Sequence, residues 1–292
     1  MLTKIRTYYQ LTKPGIIYGN ILNATAGFLL ASSVAEKLDG HKGVLTLLGI
    51  AFIIGSGCVF NNYIDRGIDK KMTRTKKRAL VNGDVSTFAA LLYATVLGAA
   101  GFTLLAFFTN ALTVWLGVLA LGMYVVVYAL AKRQSVFGTI VGSVPGALPP
   151  VAGYTAVANQ LDAGAYIILL IFAFWQMPHF YAIATYRRKD YEAAGIPVWP
   201  IKKGMRSTKI QILLFIMAFG LANVLLTAFG YTGYSYVVVM LVISLMWLWR
   251  GLRGFRADDA KATIKWAQGM FFFSLIVVLV LAAAMSLGAL LP

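Results

Sequence analysis

Long apolar stretches of about twenty residues recur along the chain, separated by short polar segments. Within them the apolar positions run on without alternation, which predicts helices and not the strands of a closed barrel. A helix needs about 20 apolar residues to cross a hydrocarbon core of ~30 Å. Nine such spans are expected, at roughly 15–35, 43–63, 86–108, 110–130, 136–157, 162–185, 209–229, 233–250 and 266–290. The third and fourth are nearly contiguous, so Thr109 and Asn110 must form a tight turn. The fifth carries Pro145, Pro149 and Pro150 and is expected to kink or break within its outer half.

Composition agrees with this pattern. The 292 residues are 60% hydrophobic and only 12% charged, with a mean hydropathy of +0.76. An all-α polytopic membrane protein follows, one membrane domain over 1–292. The single cysteine, Cys58, lies inside a span and excludes an internal disulfide framework. Ser33-Val34-Ala35 resembles a signal cleavage site. The run before it is long for a signal and carries Asn20 and Asn23, so it is expected to remain as the first span.

Charge sets the orientation. With a cytoplasmic N-terminus and nine crossings, every basic residue of the 26 falls on the inside except Lys37 and Lys42, and the C-terminus lies outside. The net charge of +16 therefore describes one face of the molecule, expected to meet the cytoplasm at the cell's inner membrane. Anionic lipid or an anionic substrate suits that face; nucleic acid does not.

Two inside loops stand apart, 64–85 and 186–208, both rich in Lys and Arg and both starting at a helix end that carries acids. Four spans separate them, so they open on the same side. In the first, Asn61, Asp65 and Asp69 recur at four-residue steps, which stacks them on one helix face. Such oxygen donors suit Mg²⁺, which takes its remaining ligands from water and substrate phosphates. Arg74, Lys77 and Arg78 can hold the phosphate oxygens left free. The plainer alternative is an interfacial helix end whose acids only pair with nearby cations. In the second, His179, Ile183, Tyr186 and Asp190 follow at four, three and four residues, again one helix face, with Arg188 and Lys189 flanking the acid. His179 lies about two turns inside the membrane, where an ionisable group is a functional candidate; packing between helices is its alternative role. Asn20 can orient substrate or bond between helices.

At these residues the sequence resembles a known family. The run Asn61-x-x-x-Asp65-x-x-Ile68-Asp69-x-x-Met72-x-Arg74-Thr75-x-x-Arg78 is similar to the signature of the protohaem IX farnesyltransferases (haem O synthases), the haem branch of the UbiA-type intramembrane prenyltransferases. "LTKPGIIYGN", "GSVPGALPP", "WQMPHFYAIA" and "KDYEAAGIP" extend the likeness over nearly the whole chain. The resemblance implies nine helices around a lipid-accessible cavity capped by the two cytoplasmic loops. It implies transfer of farnesyl from farnesyl diphosphate to the 2-vinyl group of haem B, with water added and diphosphate released. A haem-modifying enzyme or terminal oxidase would receive the product.

By the same resemblance Asn61, Asp65 and Asp69 match the metal–diphosphate motif, and Arg74 and Arg78 its basic extension. Tyr186, Lys189 and Asp190 stand at the second motif, where much of the superfamily has more aspartates. Asp190 would then bind a second magnesium, or Lys189 would take its place on phosphate. Two rivals are a prenyltransferase acting on a quinone precursor and a transporter. The aspartate-poor second motif favours haem. All ten acids lie in loops or at span ends, which fits an interfacial headgroup site better than an ion path.

Overall fold

The computed structural model describes residues 2–288 and is helical throughout, with no strand among the described residues. In chain order the helices are α1 (Leu2–Leu11), α2 (Pro14–Val34), α3 (Gly40–Asp69), α4 (Ala79–Asn82), α5 (Thr87–Phe108), α6 (Ala111–Gly122) and α7 (Ala129–Gln134). They continue with α8 (Gly138–Ala158), α9 (Ala163–Tyr186), α10 (Arg188–Ala194), α11 (Trp199–Lys202), α12 (Gly204–Ala228), α13 (Tyr234–Leu252) and α14 (Ala260–Leu287). A π-helical turn, Met123–Tyr128, joins α6 to α7, and together they make one span. Among the described residues nine helices are long and apolar enough to cross a membrane. Each overlaps an expected span; the expected end of the last at 290 lies outside the described residues.

The helices depart from expectation in two places. The second span does not stop near 63: α3 runs 30 residues, to Asp69. At ~1.5 Å per residue that is about 45 Å, well beyond a hydrocarbon core, so its last turns carry Asp65 and Asp69 past the apolar layer. The fifth span is not broken by its prolines; α8 is one helix from Gly138 to Ala158. It is also the span most enclosed by protein, 67% buried over its apolar window. At membrane depth the helical state satisfies most of its backbone, and side chains of neighbouring segments tie it in place by bonding some of its carbonyls. Gln176 of α9 donates to the Ser143 carbonyl at 3.1 Å, and Asn110 donates to the Thr155 carbonyl at 2.8 Å. Asn110 also caps α6 by accepting from the Thr113 amide at 2.9 Å, so the expected Thr109–Asn110 turn is built around this one side chain.

The bundle is held by close backbone approach. Where α2 crosses α8, a methyl at Gly27 would sit 2.0 Å from the Pro150 carbonyl oxygen, and one at Gly153 would sit 2.1 Å from that of Ala24. Small residues let membrane helices approach where no hydrophobic drive between them exists. Beyond this crossing the main core joins α8, α9, α12, α13 and α14 through Phe172, Phe219, Trp247 and Leu281, all fully buried. The outer faces expose Phe107, Trp115 and Leu245 to the lipid.

This crossing yields a stability test. Gly27→Ala and Gly153→Ala should each cost about 2 kcal/mol or more, at the upper end of overpacking penalties. Gly15→Ala, which meets nothing within 4 Å, should be neutral or slightly stabilising. Unfolding of the purified protein in detergent measures all three, and equal effects would remove the crossing as the tight point.

Candidate active site

The acidic face of α3 arrives as expected, and it is buried. Asn61, Asp65 and Asp69 are only 3%, 6% and 4% exposed. A solvated helix end would leave such groups open. Each meets a cation. Lys13 donates to Asn61 Oδ1 at 2.7 Å. Lys132 ion-pairs with Asp65 Oδ2, and Arg133 reaches Asp65 Oδ1 at 3.2 Å and the Ile64 carbonyl at 2.7 Å. Arg78 bonds Asp69 Oδ2 at 2.6 Å.

Lys13 gets there through an unusual backbone. It sits at the corner between α1 and α2 with φ 53, a left-handed conformation that non-glycine residues rarely adopt, immediately before Pro14. The corner is tied to α3 by Asn62, whose side chain donates to the Leu11 carbonyl at 2.8 Å, and by Leu11, packed against Val59, Leu80 and Val85. Burial pushes the Lys13 ammonium down to about 8; the positive charges of Arg78 and Lys132 add to this, and Asp65 opposes it. The sequence does not single out Lys13, Lys132 and Arg133. Lys13 appears there only within the run LTKPGIIYGN, and Lys132 and Arg133 only as inside-facing cations at a span end.

The second half-site differs from expectation. The helix carrying His179, Ile183 and Tyr186 ends at Tyr186; Arg187 leaves helical geometry (φ −102, ψ 16), and α10 restarts at Arg188. The single face running from His179 to Asp190 is therefore interrupted. The break turns Asp190 toward the first loop, where its Oδ1 accepts from the Thr73 amide at 3.0 Å. Around this clasp Met72 packs with Ala184, Ile196 and Val198. Burial pushes the Tyr191 hydroxyl up, and the Arg74 guanidinium opposes it. The two loops meet on one side of the bundle, as the span count required. A cleft of about 320 Å³ runs between them, lined by Ile64, Ile68, Lys71, Arg133, Gly195 and Ile196.

The other candidates spread out. Arg74, Lys77 and Lys189 are exposed, and Arg188 pairs with Glu192 at 2.7 Å. Asn20 donates to its own helix at the Ile16 carbonyl, 2.9 Å away. Tyr186 packs on Phe271, and His179 lies 2.7 Å from Ser274 Oγ on α14.

The donor set fits a magnesium ion that brings its own anion. Among the described residues no three acids, histidines or cysteines converge at metal distance, and Asp190 Oδ1 is held by the Thr73 amide. Asn61, Asp65 and Asp69 supply a few hard oxygens on one face, and the Asn61 amide nitrogen is buried without a partner. The surrounding cations outnumber the acids. That is the composition expected of a site completed by phosphate oxygens.

Helical bundle, buried acid face and cationic surround together define a class, the intramembrane prenyltransferases. The chain belongs to the UbiA prenyltransferase family, whose model matches residues 20–276. It is 50% identical over 289 residues to a protoheme IX farnesyltransferase of Cronobacter sakazakii, covering 99% of this chain and 96% of that one. The protoheme IX farnesyltransferase of Klebsiella pneumoniae is 51% identical over 288 residues, with 98% and 96% covered. The fold is also that of a solved digeranylgeranylglyceryl phosphate synthase, with a TM-score of 0.79 at 17% identity over 98% of this chain and 99% of that one. A UbiA homologue from Archaeoglobus fulgidus bound to GPP and Mg²⁺ superposes with a TM-score of 0.70 at 15% identity, covering 93% and 99%.

The clasp predicts a split between two substitutions. Asp190→Asn keeps an oxygen that accepts from Thr73 and should retain most activity; Asp190→Ala loses the tie and should fall at least about tenfold, the cost of losing ~1.4 kcal/mol. Turnover of both purified variants checks this. Equal, complete loss in both would assign Asp190 to the metal and not to the loops.

Proposed function

We propose that this protein transfers the farnesyl group of farnesyl diphosphate to the 2-vinyl group of haem B, adds water and releases diphosphate. The observation that carries this is near-full-length identity of about half with proteins named for that reaction. The buried acid face ringed by cations supplies the chemistry such a transfer needs.

Asn61, Asp65 and Asp69 would hold the magnesium ion; when bound, it neutralises charge on the leaving diphosphate. Lys13, Arg78, Lys132 and Arg133 are placed to take the remaining phosphate oxygens as the allylic C–O bond breaks. In exchange they give up contacts that they now make with Asn61, Asp65 and Asp69. Arg74 and Lys77, exposed on the first loop, and Lys189, exposed on the second, extend this cationic surface to the water side and suit capture of the headgroup. The apolar interior keeps water from the prenyl cation until the vinyl carbon has attacked it. His179 and Tyr186, on the membrane side of the Arg187 break, stand where the acceptor would lie. The concentration of basic residues on this face supports a cytoplasmic position for loops 64–85 and 186–208.

Asp65→Asn and Asp69→Asn should each reduce diphosphate release from farnesyl diphosphate and haem B by at least about a hundredfold (~2.7 kcal/mol in the barrier). Chelation should do the same to the unmodified protein, and restored Mg²⁺ should rescue only that protein. Normal activity of either variant at limiting Mg²⁺ would remove these carboxylates from the metal.

Sidedness has its own check. Cysteine at Lys76 or at Lys203 should react with an impermeant thiol reagent only from the cytoplasmic side, and cysteine at Lys37 only from outside. Opposite labelling of 76 and 203 would dismantle the shared site.

A further inference from the structure

His179 lies well inside a span, and the structure gives its two ring nitrogens different surroundings. Nδ1 lies 2.7 Å from Ser274 Oγ, across the contact between α9 and α14. The serine hydroxyl has one proton, and the Phe271 carbonyl, 2.6 Å from Ser274 Oγ, is an acceptor for it. An oxygen whose proton is used elsewhere can only accept. With the serine proton on the Phe271 carbonyl, Nδ1 donates in this pair and Nε2 is the nitrogen with the lone pair.

The serine is held firmly enough to impose this. It is 0% exposed, and its backbone carbonyl accepts from Trp175 Nε1 at 2.9 Å, one turn before His179 on α9. Trp175 stacks on the imidazole with ring centroids 5.1 Å apart, and Phe271 closes another side at 5.0 Å. Ser274, Trp175 and Phe271 thus fix both ring position and proton position. No carboxylate pairs with His179 among the described residues, so an uncharged imidazole is the form this setting accommodates. Nε2 has no hydrogen-bond partner among the described residues and is not one of the sealed, unpartnered polar atoms.

We propose that Ser274 is a positioning residue that commits His179 to the Nδ1–H tautomer, so that the free Nε2 lone pair meets the iron of the acceptor haem. Histidines that bind metal almost always donate their other ring N–H to a fixed acceptor, and loss of that acceptor typically costs about 10–100-fold in metal affinity or activity. The haem half of this inference rests on the proposed function; the tautomer half does not. His179 sits seven residues before the end of α9, about 10 Å along the helix from Tyr186. That places it on the acceptor side of the phosphate-binding loops.

The chain has only two histidines, which makes the tautomer directly readable. His41 is exposed in the first turn of α3, so His41→Gln leaves His179 as the single ¹⁵N-histidine signal in the purified, otherwise complete protein. Its NMR spectrum should show Nδ1 protonated and Nε2 bare. Adding Ser274→Ala should abolish that single-tautomer signature and weaken haem binding, read from the Soret band, by about tenfold or more. Farnesyl diphosphate affinity should stay unchanged, and Ser274→Thr, which keeps the hydroxyl, should restore the signature. A protonated Nε2 without substitution, or an unchanged tautomer in Ser274→Ala, would overturn the assignment. A haem spectrum indifferent to both Ser274→Ala and His179→Ala would overturn the iron contact. If instead the unsubstituted protein yields no prenylated haem, the proposed function fails, and the tautomer result still decides this inference on its own.

Discussion

Asp65 and Asp69 are buried at the C-terminal end of α3, and most of the architecture of the loop face follows from that placement. The location opposes a carboxylate twice. Burial disfavours charge, and the negative end of the helix dipole repels anions. Two acids survive there only if cations come to them, and the fold brings these from separate segments: Arg78 from the following loop, and Lys132 with Arg133 from α7. Lys13, from the α1–α2 corner, serves the neighbouring Asn61. Losing one partner of a buried pair typically costs about 3–5 kcal/mol, so such a surround is retained only where the acids are needed. The same surplus of positive charge is what a diphosphate requires, so one constraint accounts for both the packing of the site and its ligand.

The second loop completes the site mechanically. The helix break at Arg187 lets Asp190 reach the Thr73 amide, and an apolar cluster around Met72 fastens the loops together. On the membrane side of the break, α9 remains a regular helix and presents His179 against α14. Under the proposed function, the headgroup and the acceptor would lie on opposite sides of the Arg187 break.

Much of this is legible in the sequence. Apolar runs of membrane length show where helices lie, because lipid allows little else, and the four-residue spacing of Asn61, Asp65 and Asp69 shows a shared face. The unbroken α8 is not legible from Pro145, Pro149 and Pro150. Local rules count the hydrogen bonds that proline removes, whereas burial among other helices decides whether the helix continues. The break at Arg187 carries no glycine or proline to announce it; the tertiary tie from Asp190 to Thr73 decides it. Lys13 and Lys132 are hidden for a related reason. They lie 48 and 71 residues from Asn61, and only the bundle makes them neighbours of the acid face.

Whether this site joins a farnesyl group to haem is decided by mass spectrometry of haem extracted from cells that lack other prenylated haem, with and without this protein. Expression should produce haem B carrying one hydroxyethylfarnesyl group, and Asp65→Asn should abolish it. Unmodified haem B in both samples, with a prenylated compound of another kind appearing in its place, would contradict the proposed reaction.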